Sequence, residues 1–399
     1  RAAVLLLAVS PWFLFLSMSY MTHNLTLACA LAAAVLVARS RRTGGLGSAA
    51  LAGVMVGLGT IVRPLDGLLA GVLVGLWGIG VGAARLRLPA IGAFVLGATL
   101  TGAAVLPYNA ALSGSATRFP LNAYIDDTFG PGRNDFGFGP KQGFGWELDP
   151  FPGHSPVEGV INANLNIFSL NAELFGWGTG SLLLVALALL CGRPRRSDWL
   201  MVAVCVLVFT AYFFYYFSGG PDFGARYWYL MIVPLVVLSV RGWQVLGDKL
   251  APGAADTTGG AARATVAVLA LCAIAVVTYI PWRAIDKYHH FWGVRPDIPR
   301  LAAAYEFGRS LVLVRGSVSH PDFVAAAIYN PLDLNAPQPI YAWDRDASVR
   351  ARLLAAYADR PVWLVDGPSV TGAGFRVVAG PLSPGEVWAG SSALGGGAP

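Results

Sequence analysis

Residues Tyr108 to Trp177 begin with the sequence YNAALSGSATRFPLNAYIDDTFGPG and form the long polar interruption of an otherwise apolar first two-thirds of the chain. This stretch has three basic and seven acidic residues, together with many glycines and aromatics. Apolar segments flank it on both sides. A loop this long between membrane spans is usually functional rather than a simple connector. The pattern therefore favours a site that this loop covers.

Composition indicates a membrane protein. Of its 399 residues, 55% are hydrophobic and only 13% are charged, and the mean hydropathy is +0.58. A soluble domain carries about 25% charged residues. We therefore expect an α-helical multi-pass membrane protein with about nine spans. The apolar segments are Ala2–Leu16, Leu25–Ala38, Leu46–Val62, Gly67–Ala83, Pro89–Pro107, Gly178–Cys191, Trp199–Phe217, Tyr227–Val240 and Ala264–Ile280.

The arrangement of basic residues predicts the orientation of these spans. Arginines cluster in every second gap, at 39–42, 85–87, 193–196 and 241–263. Because short cytoplasmic loops carry an excess of Lys and Arg, these gaps are expected in the cytoplasm. The formal charge of +6 is then a topology signal rather than evidence for nucleic-acid binding. The expected location is the plasma (inner) membrane, with loop 108–177 and everything after Pro281 extracytoplasmic.

The composition changes after Pro281 to that of a soluble domain. We expect residues 1–281 to form the membrane domain and 282–399 a small external α/β domain. Its predicted strands are Ser310–Val314, Pro339–Trp343 and Pro361–Val365, alternating with helices that include Asp322–Tyr329 and Ala347–Ala358. The glycine-rich end, Ala389–Pro399, is expected to be disordered.

The sequence gives little indication of disulfide bonds or of a metal site. The four cysteines, Cys29, Cys191, Cys205 and Cys272, lie in or beside apolar runs, which favours packing over a disulfide framework or a metal site. The loop aspartates Asp126, Asp127 and Asp135 fit a divalent metal or a sugar, but an acidic solvated loop is the more ordinary interpretation. No cofactor is expected otherwise.

Ionisable residues stand at the ends of apolar segments rather than in their middles, and the predicted topology puts three such sets on the same face as the long loop. These sets are His23 with Asn24, Arg63 with Asp66, and Asp222 with Arg226. Ion-coupled transporters usually place charges or broken helices near the midplane of the bilayer. The distribution therefore disfavours a transporter.

Each set has a functional and a structural interpretation. Arg63 either binds a phosphate at the lipid–water boundary or pairs with Asp66 in a turn. Arg226, with glycines before it and Tyr227 after it, fits a phosphate–sugar group, although an interfacial aromatic belt has the same composition. His23 fits a general base, a hydrogen-bond donor to a glycan hydroxyl, or a polar helix cap.

Several short motifs together resemble the GT-C superfamily of polyprenyl-phosphate-sugar-dependent glycosyltransferases. The similarity is greatest to the bacterial branch related to protein mannosyltransferases and lipid A aminoarabinose transferases. The matching motifs are Ser10–Phe13, Ser19–Asn24, Gly57–Leu58 with Val62–Pro64, Tyr108-Asn109 with Ala110–Gly114, Gly137–Gly139 and Gly224–Trp228. They reach to about Trp243.

This resemblance implies an enzyme that takes a sugar from a polyprenyl-phosphate donor on the outer face. The acceptor would be a glycan, lipid or protein of the cell envelope, and membrane lipids would be further partners. The catalytic carboxylate of the superfamily lies in the first outer loop, yet no acidic residue precedes Asp66. The chain begins at Arg1, so this acid is expected upstream of it. The alternatives are a transporter or flippase of a lipid-linked substrate and a non-catalytic envelope assembly protein.

Overall fold

The computed structural model describes residues 1–145, 151–219, 222–251, 257–291, 295–317 and 322–390. The chain divides into two compact units, Arg1–Pro281 and Trp282–Pro399, at the point where the composition changes. From Ser391 on, the predicted disordered tail lies outside the described residues, and so does most of the linker between the last two apolar segments. The two residues before Ser391 belong to a helix.

The first unit is helical. Its helices are α1 (Ala2–Ala8), α2 (Pro11–Ser17), α3 (His23–Thr43), α4 (Leu46–Val62), α5 (Pro64–Gly78), α6 (Leu88–Gly102), α7 (Val105–Ser113), α8 (Pro120–Phe129), α9 (Pro156–Glu173), α10 (Leu183–Ala186), α11 (Arg196–Phe213), α12 (Ile232–Leu250) and α13 (Thr257–Val277). A π-helical turn, Leu187–Cys191, continues α10, and a 3-10 helix, Arg226–Met231, leads into α12. A short helix α14, Tyr279–Trp282, and a π-helical turn, Arg283–Tyr288, follow α13.

Five helices in the described part of the chain are long and apolar enough to cross a membrane, as expected of a multi-pass membrane protein. They are His23–Thr43, Leu88–Ser113, Arg196–Phe213, Arg226–Leu250 and Thr258–Tyr288, while α4 and α5 are apolar but shorter. The expected nine spans are therefore not all found. The first apolar run breaks at Ser10, which caps α2, with Pro11 as its first helical residue. The run after Gly178 yields only the short α10 and its π-helical turn.

Helices α4 and α6 approach each other closely through glycine. A methyl group added at Gly57 would lie 2.6 Å from Thr101 Cβ, and one at Gly53 would collide with the backbone at Phe94. Gly97 of α6 meets the backbone of Ala50 in the same way. Small residues four apart allow such backbone contact between apolar helices. The contact holds the C-terminal end of α4, where the chain turns at Arg63.

The second unit contains a four-stranded sheet, β1 (Leu311–Arg315), β2 (Ile340–Trp343), β3 (Val362–Asp366) and β4 (Arg376–Leu382), in the order β2-β1-β3-β4. The first three strands are parallel, and β4 pairs antiparallel to β3. Helices α15 (Ile298–Ala304), α16 (Asp322–Ala327), α17 (Ala347–Ala356), α18 (Pro368–Thr371) and α19 (Pro384–Gly390) complete the unit. The first four residues of β1 are apolar and buried, which is typical of a strand covered on both faces.

Candidate functional site

A cavity of about 500 Å³ opens in the first unit where several helices end. It lies beside the turn between α4 and α5, the start of α8, the C-terminal end of α11 and the start of the 3-10 helix. The lining residues are Thr22, Ile61, Val62, Arg63, Pro64, Leu65, Asp66, Tyr108, Phe119, Pro120, Leu121, Asn122, Asn134, Phe136, Tyr212, Tyr215 and Tyr227. Most of the wall is therefore aromatic or apolar, with one ion pair.

That ion pair joins Arg63 and Asp66 at the turn between α4 and α5. Arg63 has an extended backbone and precedes α5, and Asp66 lies in the first turn of that helix, where its charge is favourable. Arg63 Nε donates to Asp66 Oδ2, and the hydroxyl of Tyr212 donates to Asp66 Oδ1 over 2.5 Å. Asp66 is only 4% exposed. The carboxylate therefore fixes the position of Arg63 within the wall.

Tyr227 links this pair to Arg226. The guanidinium carbon of Arg63 lies 5.3 Å from the ring centroid of Tyr227, and that of Arg226 lies 5.8 Å from the same centroid. Arg226 also lies 5.5 Å from the ring of Phe217. Within the part of the chain that the structure describes, no carboxylate forms a salt bridge with Arg226. Two guanidinium groups thus share one aromatic ring, and the carboxylate of Asp66 pairs with only one of them.

His23 lies next to this cluster, at the start of α3. Its ring centroid is 6.2 Å from that of Tyr227 and 6.3 Å from that of Tyr229, both edge-on. The side chain is buried, and neither ring nitrogen has a hydrogen-bond partner among the described residues. The positive charges of Arg63 and Arg226 both lie close enough to interact with His23. A buried imidazole without a partner is costly, so the arrangement suits an additional polar group.

The predicted site residues separate into three groups. Arg63, Asp66, Tyr108 and Tyr227 line the cavity. His23 and Arg226 lie outside the lining but adjoin the lining residue Tyr227. Asn24 also lies outside the lining and accepts from the hydroxyl of Tyr229, itself not a lining residue, over 2.5 Å. Asn109 and Asp222 do not line the cavity. The side chain of Asn109 is buried and donates to the carbonyl of Ala116, which closes the turn after α7.

Sequence reasoning missed the polar residues that join the long loop to the site. The hydroxyl of Tyr215 donates to Asn134 Oδ1 over 2.9 Å, and Asn134 Nδ2 donates to Asn122 Oδ1 over 2.7 Å. The run of aromatics from Tyr212 to Phe217 was a visible signal, but it was assigned to the end of an apolar segment. Its hydroxyl groups instead connect α8 and the loop to α11.

Backbone contacts fasten the loop to the same end of α11. The amide of Gly137 donates to the carbonyl of Phe214 over 2.8 Å, and Asn162 Nδ2 donates to the carbonyl of Tyr216 over 2.8 Å. His154 Nε2 lies 3.1 Å from the carbonyl of Phe213. His154 is therefore a structural residue. The described part of the loop covers the helix end that bears Tyr212 and Tyr215.

Asp126 and Asp127 are engaged with Arg118, at 3.0 Å and 3.5 Å from its Nη2. A hydrogen bond from the amide of Gly132, together with the contact to Arg118, lowers the pKa of Asp126. In the described parts of the chain, no group of three or more His, Cys, Asp or Glu residues could hold a metal ion. Asp126 thus helps to hold α8 and the following turn, whereas the side chain of Asp127 is mostly exposed.

Comparison of the chain with protein-family models, with curated proteins and with solved structures gives no match.

Proposed function

We propose that this protein is a membrane glycosyltransferase that takes a sugar from a polyprenyl-phosphate donor and transfers it to a cell-envelope acceptor on the extracytoplasmic face. The observation that carries this proposal is the approach of Arg63 and Arg226 to one ring, that of Tyr227, beside the buried His23. Guanidinium groups bind phosphate through planar, charge-assisted hydrogen bonds. The nitrogens of His23 supply further polar contacts to the same anion.

The size and lining of the cavity suit the rest of such a donor. A volume of about 500 Å³ lies within the usual range for small-molecule sites and accommodates a sugar. Tyr108, Tyr215 and Tyr227 offer aromatic faces to a sugar ring. Apolar helices surround the helix ends that form the cavity, so a polyprenyl chain would remain in lipid while its phosphate meets the arginines.

The proposal assigns donor binding to this chain and does not name the proton acceptor of the transfer. Asp66 is a poor candidate for that acceptor, because Arg63 and Tyr212 already donate to its two oxygens. A carboxylate held in this way positions the arginine rather than removing a proton from an acceptor hydroxyl.

The direct test measures binding of undecaprenyl phosphate to the purified full-length protein in lipid nanodiscs. We expect Arg63→Ala and Arg226→Ala each to weaken binding at least tenfold, since each loses charge-assisted hydrogen bonds of about 1.5–3 kcal/mol. Arg42→Ala is the matched control, because Arg42 is exposed in the last turn of α3. Unchanged affinity in both the Arg63→Ala and the Arg226→Ala variants would refute donor binding here.

Product formation then separates the candidate functions. Transfer of a labelled sugar to an acceptor, with the label found in the acceptor, supports the enzyme. Movement of the intact lipid-linked donor between leaflets without transfer would instead identify a transporter or flippase. Binding with neither activity would leave an assembly protein.

A further inference from the structure

Helix α9 has an inverted distribution of polar and apolar residues. Five of the seven residues that it buries are polar or lack a side chain: the buried set is Gly159, Asn162, Ala163, Asn166, Ser169, Leu170 and Glu173. Its exposed residues are mostly apolar: Pro156, Val157, Val160, Ile161, Asn164, Ile167, Phe168 and Asn171. The exposed positions recur at the spacing of one helix face, and none is charged. A helix on the surface of a soluble protein has the opposite arrangement.

The buried polar face of α9 packs behind three tyrosines that line the site cavity, Tyr212, Tyr215 and Tyr227. Asn162 and Asn166 line a second, very small cavity, and its other side is formed by Tyr212, Tyr215 and Tyr227. The same three tyrosines line the site cavity on their other side. Helix α9 therefore lies directly behind the wall that holds Arg63 and Asp66.

Each of the two asparagines on the exposed face has one hydrogen bond within the protein. Asn164 Nδ2 donates to the carbonyl of Val160 over 2.9 Å, and Asn171 Oδ1 accepts from the amide of Leu182 over 3.1 Å. At the start of the helix, Ser155 and Glu158 form a reciprocal capping box. Hydrogen bonds made within the protein suit a hydrocarbon environment, because lipid tails offer no hydrogen-bond partners.

We propose that the exposed face of α9 lies against the acyl chains of the bilayer, so that α9 forms a membrane-embedded wall between lipid and the cavity. The compact unit that contains α9 also contains four helices able to cross a membrane and most of a fifth, so the surrounding lipid is the expected partner. A surface that binds a soluble protein partner usually has a polar rim, whereas the exposed face of α9 has no charged residue along its length. Helix α9 is not among the five candidate spans, and its four asparagines and two glutamates lower its mean hydropathy.

Photo-crosslinking tests this placement in the full-length protein reconstituted in phospholipid vesicles. We expect p-benzoylphenylalanine at position 157 or 168 to form phospholipid adducts on irradiation, which mass spectrometry of the protein detects. Leu332 is the matched control, since its side chain is fully exposed in the second unit. We expect at least fivefold fewer adducts at that position.

Two results would overturn the proposal. Cross-links between two copies of the chain at positions 157 and 168 would make this face a protein interface, and adduct yields equal to those at position 332 would make it solvent-exposed. A second pair of variants tests the proposal if the protein carrying the photo-crosslinker does not fold. Phe168→Glu should lower the thermal midpoint in vesicles while Phe168→Leu leaves it unchanged, and equal midpoints would contradict lipid contact. None of these readouts depends on donor binding.

Discussion

The hydroxyl of Tyr212 donates to Asp66 Oδ1 across 146 positions of sequence, and the other oxygen of that carboxylate accepts from Arg63. The end of α11 is thereby joined to the turn between α4 and α5. Because Asp66 is buried, this contact is protected from competition by water. One phenol therefore controls the geometry of the arginine that we assign to donor binding.

Removing the hydroxyl of Tyr212 should lower both the stability of the protein and its affinity for the donor. We expect Tyr212→Phe to cost about 1.5–3 kcal/mol, the usual worth of a hydrogen bond to a charged group. The thermal midpoint and the affinity for undecaprenyl phosphate should both fall. Tyr20→Phe is the matched control, because Tyr20 is 90% exposed. Equal midpoints for the two variants would show that Tyr212 does not support Asp66.

Arg226 should tolerate neither loss of charge nor change of shape. We expect Arg226→Ala to abolish or strongly weaken sugar transfer by the full-length protein and Arg226→Lys to recover it only in part, because an ammonium lacks the planar donor fork. Expression should remain near wild type, since Arg226 stands at the start of a helix rather than in its core. Wild-type transfer by Arg226→Ala would return this residue to the role of a membrane anchor.

Gly224 should be indispensable for the shape of the segment before Arg226. Its φ of +67° disfavours side chains, and an added Cβ would lie 2.5 Å from Trp12 Cδ1 and 3.2 Å from Glu173 Oε2. Gly114→Ala separates the two effects, because Gly114 has φ +73° with open space around it. We expect Gly114→Ala to cost about 1–2 kcal/mol and Gly224→Ala distinctly more. Similar thermal midpoints would mean that Trp12 can move aside.

Asp346 should give the second unit a pH-dependent stability. Its side chain accepts from the amides of Ser348 and Val349 at the start of α17, each over 2.9 Å. Hydrogen bonds from Ser348 and Val349 hold the pKa of Asp346 below its ordinary value. A lowered pKa means that the stabilisation is present above about pH 4 and is lost as the pH falls through the folded-state pKa.

The corresponding measurement compares thermal midpoints of Asp346→Ala and wild type between pH 7 and pH 2. The difference should be largest at neutral pH and should shrink below about pH 4. Asp346→Asn keeps an acceptor that does not titrate, so its own midpoint should depend less on pH. A difference that stays constant over this range would exclude the ionised cap.

The orientation of the chain can be tested by cysteine labelling in a background without the four native cysteines. The arginine distribution predicts that Asp127→Cys and Asp346→Cys react with an impermeant reagent added to intact cells. Arg42→Cys and Arg195→Cys should react only after permeabilisation. Reaction of Asp346→Cys solely after permeabilisation would reverse the predicted placement of the second unit.

Local patterns predicted much of the second unit. The strands at Leu311, Ile340 and Val362 and the helix at Ala347 were predicted from buried apolar runs and from amphipathic spacing. The strand β4, Arg376–Leu382, was missed, because it is an antiparallel edge strand that is mostly exposed or half-buried and contains Gly380 and Pro381. Such a strand is defined by its pairing with β3 rather than by its composition.

The charged residues of the candidate site could be singled out from the sequence, but the contacts between its residues could not. The position of Arg63 and Arg226 at the ends of apolar segments was enough to single them out. The roles of Tyr212 and Asn134 depend on contacts between residues 146 and 81 positions apart, which no local pattern encodes. The apolar pattern also overestimated helix length, since it did not register the break at Ser10.

The close approach of α4 and α6 constrains sequence variation more than the chemistry of the site does. Only a residue without a side chain fits at Gly53, Gly57 and Gly97, because each position faces the backbone or a Cβ of the opposite helix. Under the proposed function, donor and acceptor preferences can change through substitutions in the cavity, whereas the helix crossing itself admits almost none. Homologues that retain this fold should therefore share these three glycines even where their polar residues have diverged.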